Sequence, residues 1–148
     1  MIYYIYKDKK GNDFMGLDNG IMLKIKDKEK FGEIPAWIRR EPWEDEHNYD
    51  YEILYWRKCW NVRAEILTYL AADADEYQWN LSLMELRDIF KILNHLYNWH
   101  SWDSSQSIWS WDEIGESYKN NLKYARKVLH WLETKPADSF EIYFYDSY

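Results

Sequence analysis

Tyr55-Trp56-Arg57-Lys58-Cys59-Trp60-Asn61-Val62-Arg63 is the stretch on which the fold turns. Taken with its flanks, it predicts a helix, helix A, from about Asp50 to Ala72. Ile53, Trp56, Trp60, Ala64 and Leu67 follow the three-to-four spacing of one helical face. Asp50 and Glu52 stand at the start, where the helix dipole favours negative charge, and Asp73-Ala74-Asp75-Glu76 ends the run. On such a helix Trp56, Trp60 and Arg63 share a face, with Arg57 and Asn61 alongside.

Working outward, two further helices follow. Helix B is expected from Leu83 to Trp99, with Ser82 and Glu85 as a capping box. Its apolar stripe is Leu83, Leu86, Phe90, Leu93 and Tyr97, widened by Ile89 and Leu96. Helix C is expected from Trp111 to Glu133, with Ser110 and Glu113 as a second capping box and Ile114, Tyr118, Leu122, Ala125, Leu129 and Leu132 as its buried face. Its acids come first and its bases last, which complements the dipole. The β-branched and aromatic runs Ile2–Tyr6, Ile21–Lys26 and Phe140–Tyr145 read as strands, and Asn19-Gly20 reads as a turn. Residues 27–48 read as irregular, with Trp37 and Trp43 anchoring them. The pattern predicts an α+β fold: a three-helix core packed on a small antiparallel sheet formed by N- and C-terminal strands. One domain over residues 1–148 suits the length.

Composition narrows the function classes. The formal net charge is -7, which argues against general nucleic-acid binding, because that rests on a basic face. Aromatic residues make up 20% of the chain, with 10 Trp and 14 Tyr, more rings than a domain of this size hides completely. The lone Cys59 allows neither an intramolecular disulfide nor a cysteine-based zinc site, and reducing surroundings are expected. No run reaches membrane-spanning length, and no membrane partner, cofactor or metal is expected.

The segment Asp50 to Leu67, with Tyr55-Trp56-Arg57-Lys58 at its centre, resembles a widespread family of small uncharacterised bacteriophage proteins that carry a Tyr-Trp-Arg-Lys helix. The leucine-rich Leu83–Leu96 and the aromatic passage into a helix over Ile108–Val128 are similar to that family's layout. Trp60 stands where that family usually has asparagine, Arg63 where it has histidine, and Glu65 where an aromatic is frequent. Tyr55, Trp56, Arg57 and Lys58 are the residues that carry over. The resemblance implies a phage accessory protein in the cytoplasm of a bacterial host, and it supplies no activity.

Signatures of catalysis are missing: the sequence has no glycine-rich phosphate loop, no glycine-flanked nucleophilic serine and no histidine pair at metal-ligand spacing. The chain therefore reads as non-enzymatic. Two readings of the tryptophan–arginine stretch stay open. In one, Trp56 and Trp60 are core and Arg57 pairs with a distant acid such as Glu116. In the other, Arg57 and Arg63 clamp phosphate and Trp56 or Trp60 stacks on a base, with the loop tryptophans Trp99, Trp102, Trp109 and Trp111 closing the far wall; Tyr55, Lys58 and Asn61 complete the expected ligand-binding set. The second reading predicts a small nucleotide ligand and, with the phage resemblance, sequestration of a nucleotide immune signal. The alternative is an inhibitor of a host defence protein. It would dock through the acidic run Glu41–Glu52, with Glu44, Asp45 and Glu46 at its centre. Homo-oligomerisation is left open.

Overall fold

The computed structural model describes residues 6–7, 13–14, 18–39, 50–57, 60–72, 77–98 and 111–147. Its strands are β1 (Tyr6–Lys7), β2 (Asp13–Phe14), β3 (Asp18–Ile25), β4 (Asp50–Arg57), β5 (Gln78–Leu81) and β6 (Phe140–Ser147). Its helices are α1 (Lys28–Phe31), α2 (Trp60–Leu70), α3 (Leu83–Asn98) and α4 (Trp111–Leu132). β1 and β2 pair with each other, and the other four strands form one antiparallel sheet in the order β4-β3-β6-β5. The fold is α+β. β6 pairs along its whole length with β3, Asp18 opposite Ser147 and Ile25 opposite Phe140. Most of the expected strand Ile2–Tyr6 lies outside the described residues.

Alternation decides which face of the sheet is buried. Asn19, Ile21, Leu23 and Ile25 of β3 point the same way as Phe140, Ile142, Phe144 and Asp146 of β6, and all eight are buried. The helices cover this face with Val62 and Ile66 from α2, Leu86, Ile89, Phe90, Leu93 and Leu96 from α3, and Leu122, Ala125, Val128, Leu129 and Leu132 from α4. Each Val, Leu, Ile or Phe among them contributes about 1.5–3 kcal/mol when withdrawn from water, before chain entropy is charged against it.

The two later helices fall where the periodicity put them. At the start of α3, Ser82 Oγ accepts from the Glu85 amide at 3.1 Å and Glu85 Oε1 accepts from the Ser82 amide at 2.9 Å, the reciprocal capping box. Ser110 and the side chains of Glu113, Ile114 and Tyr118 lie outside the described residues. Tyr69 of α2 donates to Asp88 of α3, and Arg87 of α3 pairs with Glu133 just past α4, so polar contacts tie the helices together at their outer edges.

Helix A is corrected. Asp50–Arg57 is strand β4, and only Trp60–Leu70 is helical. The cause is a bulge: Ile21 faces Leu54, Met22 faces Glu52, and Ile53 is the extra residue. Tyr51, Ile53, Leu54 and Trp56 are therefore all buried, which puts three-residue steps into a strand and imitates a helix. Within α2 the buried positions are Val62 and Ile66, whereas Ala64 is exposed and Leu67 half-buried.

The Asn19-Gly20 turn is corrected too, since both residues lie inside β3. Gly20 is required there by its neighbour. A Cβ on Gly20 would stand 2.5 Å from Cε1 of Tyr145, whose ring lies across it. In the segment after β3, Asp27 caps α1 and Gly32 leaves it at φ 91°, a left-handed conformation that suits glycine. Trp37 anchors this segment as expected, edge-on to Tyr124 and Trp131 of α4. Trp43 lies outside the described residues.

Candidate functional site

The expected ligand face on helix A does not form, because Trp56 and Arg63 stand on different elements. Trp56, on β4, is 5% exposed and stacks on Phe144 of β6 at 6.2 Å. Arg63, on α2, reaches across to β6. Its Nε and Nη2 donate to both carboxylate oxygens of Asp146 at 2.7–2.9 Å, and Asp146 Oδ1 also accepts from Asn19 Nδ2 at 2.7 Å. The Asp146 side chain is fully buried and that of Arg63 is 15% exposed. This fork spends the Arg63 charge on the protein's own carboxylate. Arg57 ends β4, and Trp60 and Asn61 begin α2; their side chains lie outside the described set. Lys58, Cys59, Trp102, Trp109, Glu44, Asp45 and Glu46 lie outside the described residues altogether.

Tyr55 leads to a different site. As the neighbour of Trp56 on a strand it faces the opposite way, and it is 43% exposed. It lines a cleft of about 160 Å³ at the β4 edge of the sheet, together with Glu52, Ile53 and Leu54 of β4, Asn121 and Tyr124 of α4, and Arg39. The bulge helps to shape the cleft by bringing Ile53 into its lining between Glu52 and Leu54.

Arg39 is the group this cleft positions most firmly. Its guanidinium carbon lies 4.1 Å from the centre of the Tyr124 ring, and its Nη1 donates to Asn121 Oδ1 at 2.7 Å. Its backbone amide donates to Tyr124 Oη at 2.9 Å. All three contacts are to uncharged groups, and the residue is exposed. Among the described residues no carboxylate lies within ion-pair distance of it. Burial pushes the Tyr124 phenol up; the Arg39 amide and guanidinium oppose that shift, and Glu52 adds to it. The phenol thus stays protonated and keeps its own hydrogen for a further bond.

These groups bind in complementary ways. A flat guanidinium held over a ring offers N–H donors to phosphate or carboxylate oxygens and its open face to a base. Tyr55 and Glu52 border the cleft beside it. Among the described residues no group of three or more histidine, cysteine or acidic side chains is placed to hold a metal ion. No helix among them is long and apolar enough to cross a membrane. Arg39, Asn121 and Tyr124 carry no local sequence signal, because 82 and 85 positions separate Arg39 from its two partners.

No protein-family model, curated protein or solved structure matches this chain.

Proposed function

We propose that this protein is a non-catalytic binder of a nucleotide, held by its base and a phosphate in the cleft beside β4. The observation that carries this is Arg39: an exposed cation fixed by a ring, an amide and a hydroxyl, none of which neutralises it. In this reading Arg39 takes the phosphate, Tyr55 and the outer face of the Arg39 guanidinium flank the base, and Glu52 accepts from a ribose hydroxyl or an exocyclic amine. The cleft is smaller than the roughly 300 Å³ at which ligand pockets usually begin, so it has room for a base and leaves the sugar and phosphates at its mouth. The Tyr55–Lys58 resemblance adds only the setting of a phage protein made in the host cytoplasm, and its expected helix is strand β4 over Tyr55–Arg57; sequestration of a nucleotide immune signal is the role a non-catalytic nucleotide binder would have there.

Native mass spectrometry with a panel of linear and cyclic nucleotides tests the reading. A stoichiometric nucleotide adduct is expected on the wild-type protein and is lost in Arg39→Ala. An unchanged protein mass across the panel overturns the reading. Attention would then pass to the acidic run around Glu44, Asp45 and Glu46 and to pull-down of a protein partner.

A further inference from the structure

Asn121 stands half-buried in the middle of α4, where asparagine is a poor helix former. Its Oδ1 accepts from Arg39 Nη1 at 2.7 Å. Asn121→Asp would put a carboxylate of the same shape at the same place, and the bond would then join opposite charges. Helix propensity ranks the two residues alike. The positions three and four away hold Ser117, Tyr118, Tyr124 and Ala125, none of them charged, so no neighbour along that helix face favours amide over acid. What separates the two is their effect on Arg39.

The molecule holds the other outcome as well. Arg63 meets a carboxylate, Asp146, and its shortest bond to it is also 2.7 Å. The two contacts match in length and differ in what they leave of the charge. Around Arg39 the remaining supports are the Tyr124 ring and hydroxyl, both neutral. Glu52 lines the same cleft, but among the described residues no carboxylate comes within ion-pair distance of Arg39. An acid at position 121 would be the first to do so.

We infer that Asn121 is the positioning residue that sets the cleft's preference for a phosphorylated ligand over the bare nucleoside. It orients the Arg39 guanidinium through one nitrogen and leaves its charge in place. This rests on the nucleotide reading of the cleft and adds which residue gives that site its charge selectivity. A phosphate arriving at Arg39 finds a donor already ordered, which lowers the cost of binding. In Asn121→Asp it would have to compete with an internal carboxylate.

Isothermal titration calorimetry with adenosine monophosphate, adenosine and inorganic pyrophosphate tests this on the wild type and on Asn121→Asp. The wild type should bind adenosine monophosphate more tightly than adenosine. In Asn121→Asp, affinity for adenosine monophosphate and pyrophosphate should fall about tenfold or more, while that for adenosine stays within about twofold. Asn121→Ala removes the acceptor without adding a charge, and it should weaken adenosine monophosphate less than Asn121→Asp does. Adenosine monophosphate bound alike by wild type and Asn121→Asp overturns the inference and leaves the nucleotide reading standing. So does an equal loss of adenosine monophosphate and adenosine, or a loss in Asn121→Ala as large as in Asn121→Asp, since either makes residue 121 a wall of the cleft and no more. Pyrophosphate bound by the wild type and lost in Asn121→Asp, with adenosine monophosphate bound by neither, topples the nucleotide reading and keeps the control of Arg39 by Asn121. Binding of none of the three to the wild type overturns both.

Discussion

Two arginines serve opposite ends of the molecule's chemistry. Arg63 lies under the sheet and gives one edge of its guanidinium, Nε and Nη2, to both oxygens of Asp146, a fully buried carboxylate that Asn19 also holds. Arg39 lies at the β4 edge and is held as firmly, but by a ring, an amide and a hydroxyl. The contrast separates order from neutrality. A charge fixed by an opposite charge is consumed by the fold, whereas one fixed by neutral dipoles is ordered and still able to attract. A charged side chain thus points to function when it is immobilised without being neutralised, a property that residue type alone does not reveal.

The contrast can be broken most severely at Asp146. Asp146→Ala should cost about 3–5 kcal/mol in urea unfolding, because it strands a buried guanidinium. Combining Arg63→Met with Asp146→Leu should return most of that. A double variant as unstable as Asp146→Ala alone would show that the pair does more than neutralise itself. Next in size is Gly20→Ala, beside Asn19. The new methyl meets the Tyr145 ring, and a net loss of about 1 kcal/mol is expected after the gain from a stiffer unfolded chain is deducted. Trimming the ring in a Gly20→Ala/Tyr145→Ala background should remove the part due to the clash.

Arg39→Ala should lower stability by only about 0.5–1 kcal/mol, the value of an exposed cation–ring contact, while abolishing ligand uptake. A loss as large as that of Asp146→Ala would make Arg39 a structural residue and erase the distinction.

The smallest effect belongs to a third kind of pair, Lys30 with Asp138, at 2.8 Å on the surface. The Asp138 carboxyl is held below its usual range, chiefly by its hydrogen bond from Lys30, and the Lys30 ammonium is raised by the same bond. Asp138 therefore contributes above its unfolded pKa, and that contribution is lost as pH falls through the lowered folded value. Lys30 contributes below its own unfolded pKa, and that contribution is lost as pH rises through the raised one. Denaturation midpoints against pH should sag slightly on both flanks, less so in 1 M salt, and Asp138→Asn should flatten the acid side.

How much of this the sequence discloses depends on how far apart the partners are. α3 and α4 are legible because their stripes and caps are local, as Ser82 and Glu85 show. β3 and β6 are legible as strands, though not as neighbours along their whole length. β4 is misread because one bulged residue, Ile53, gives a strand the spacing of a helix. β5, with only Gln78–Leu81, is too short to show alternation. Of the candidate site, only Tyr55 was visible. Arg39 acquires its meaning from Asn121 and Tyr124, and no window of neighbouring residues contains all three. Arg63 was visible as a cation, but Asp146 decides what that cation does, and it lies 83 positions away.

The place of β6 in the sheet has a consequence for the order in which the molecule can be made. β6 lies between β3 and β5, and Asn19 bonds to residues 126 and 127 positions downstream of it. A ribosome that has produced β3 and β4 has produced a two-stranded ribbon with Ile21 and Leu23 uncovered. α2, α3 and α4 then emerge with apolar stripes and no finished sheet to cover. Pairings of such long range are slow to form, and exposed stripes of this kind are what chaperones hold. Of the described strands β6 is made after the others, so it is the one that joins β3 to β5, and until it arrives Ile21 and Leu23 lack half of the sheet that shelters them.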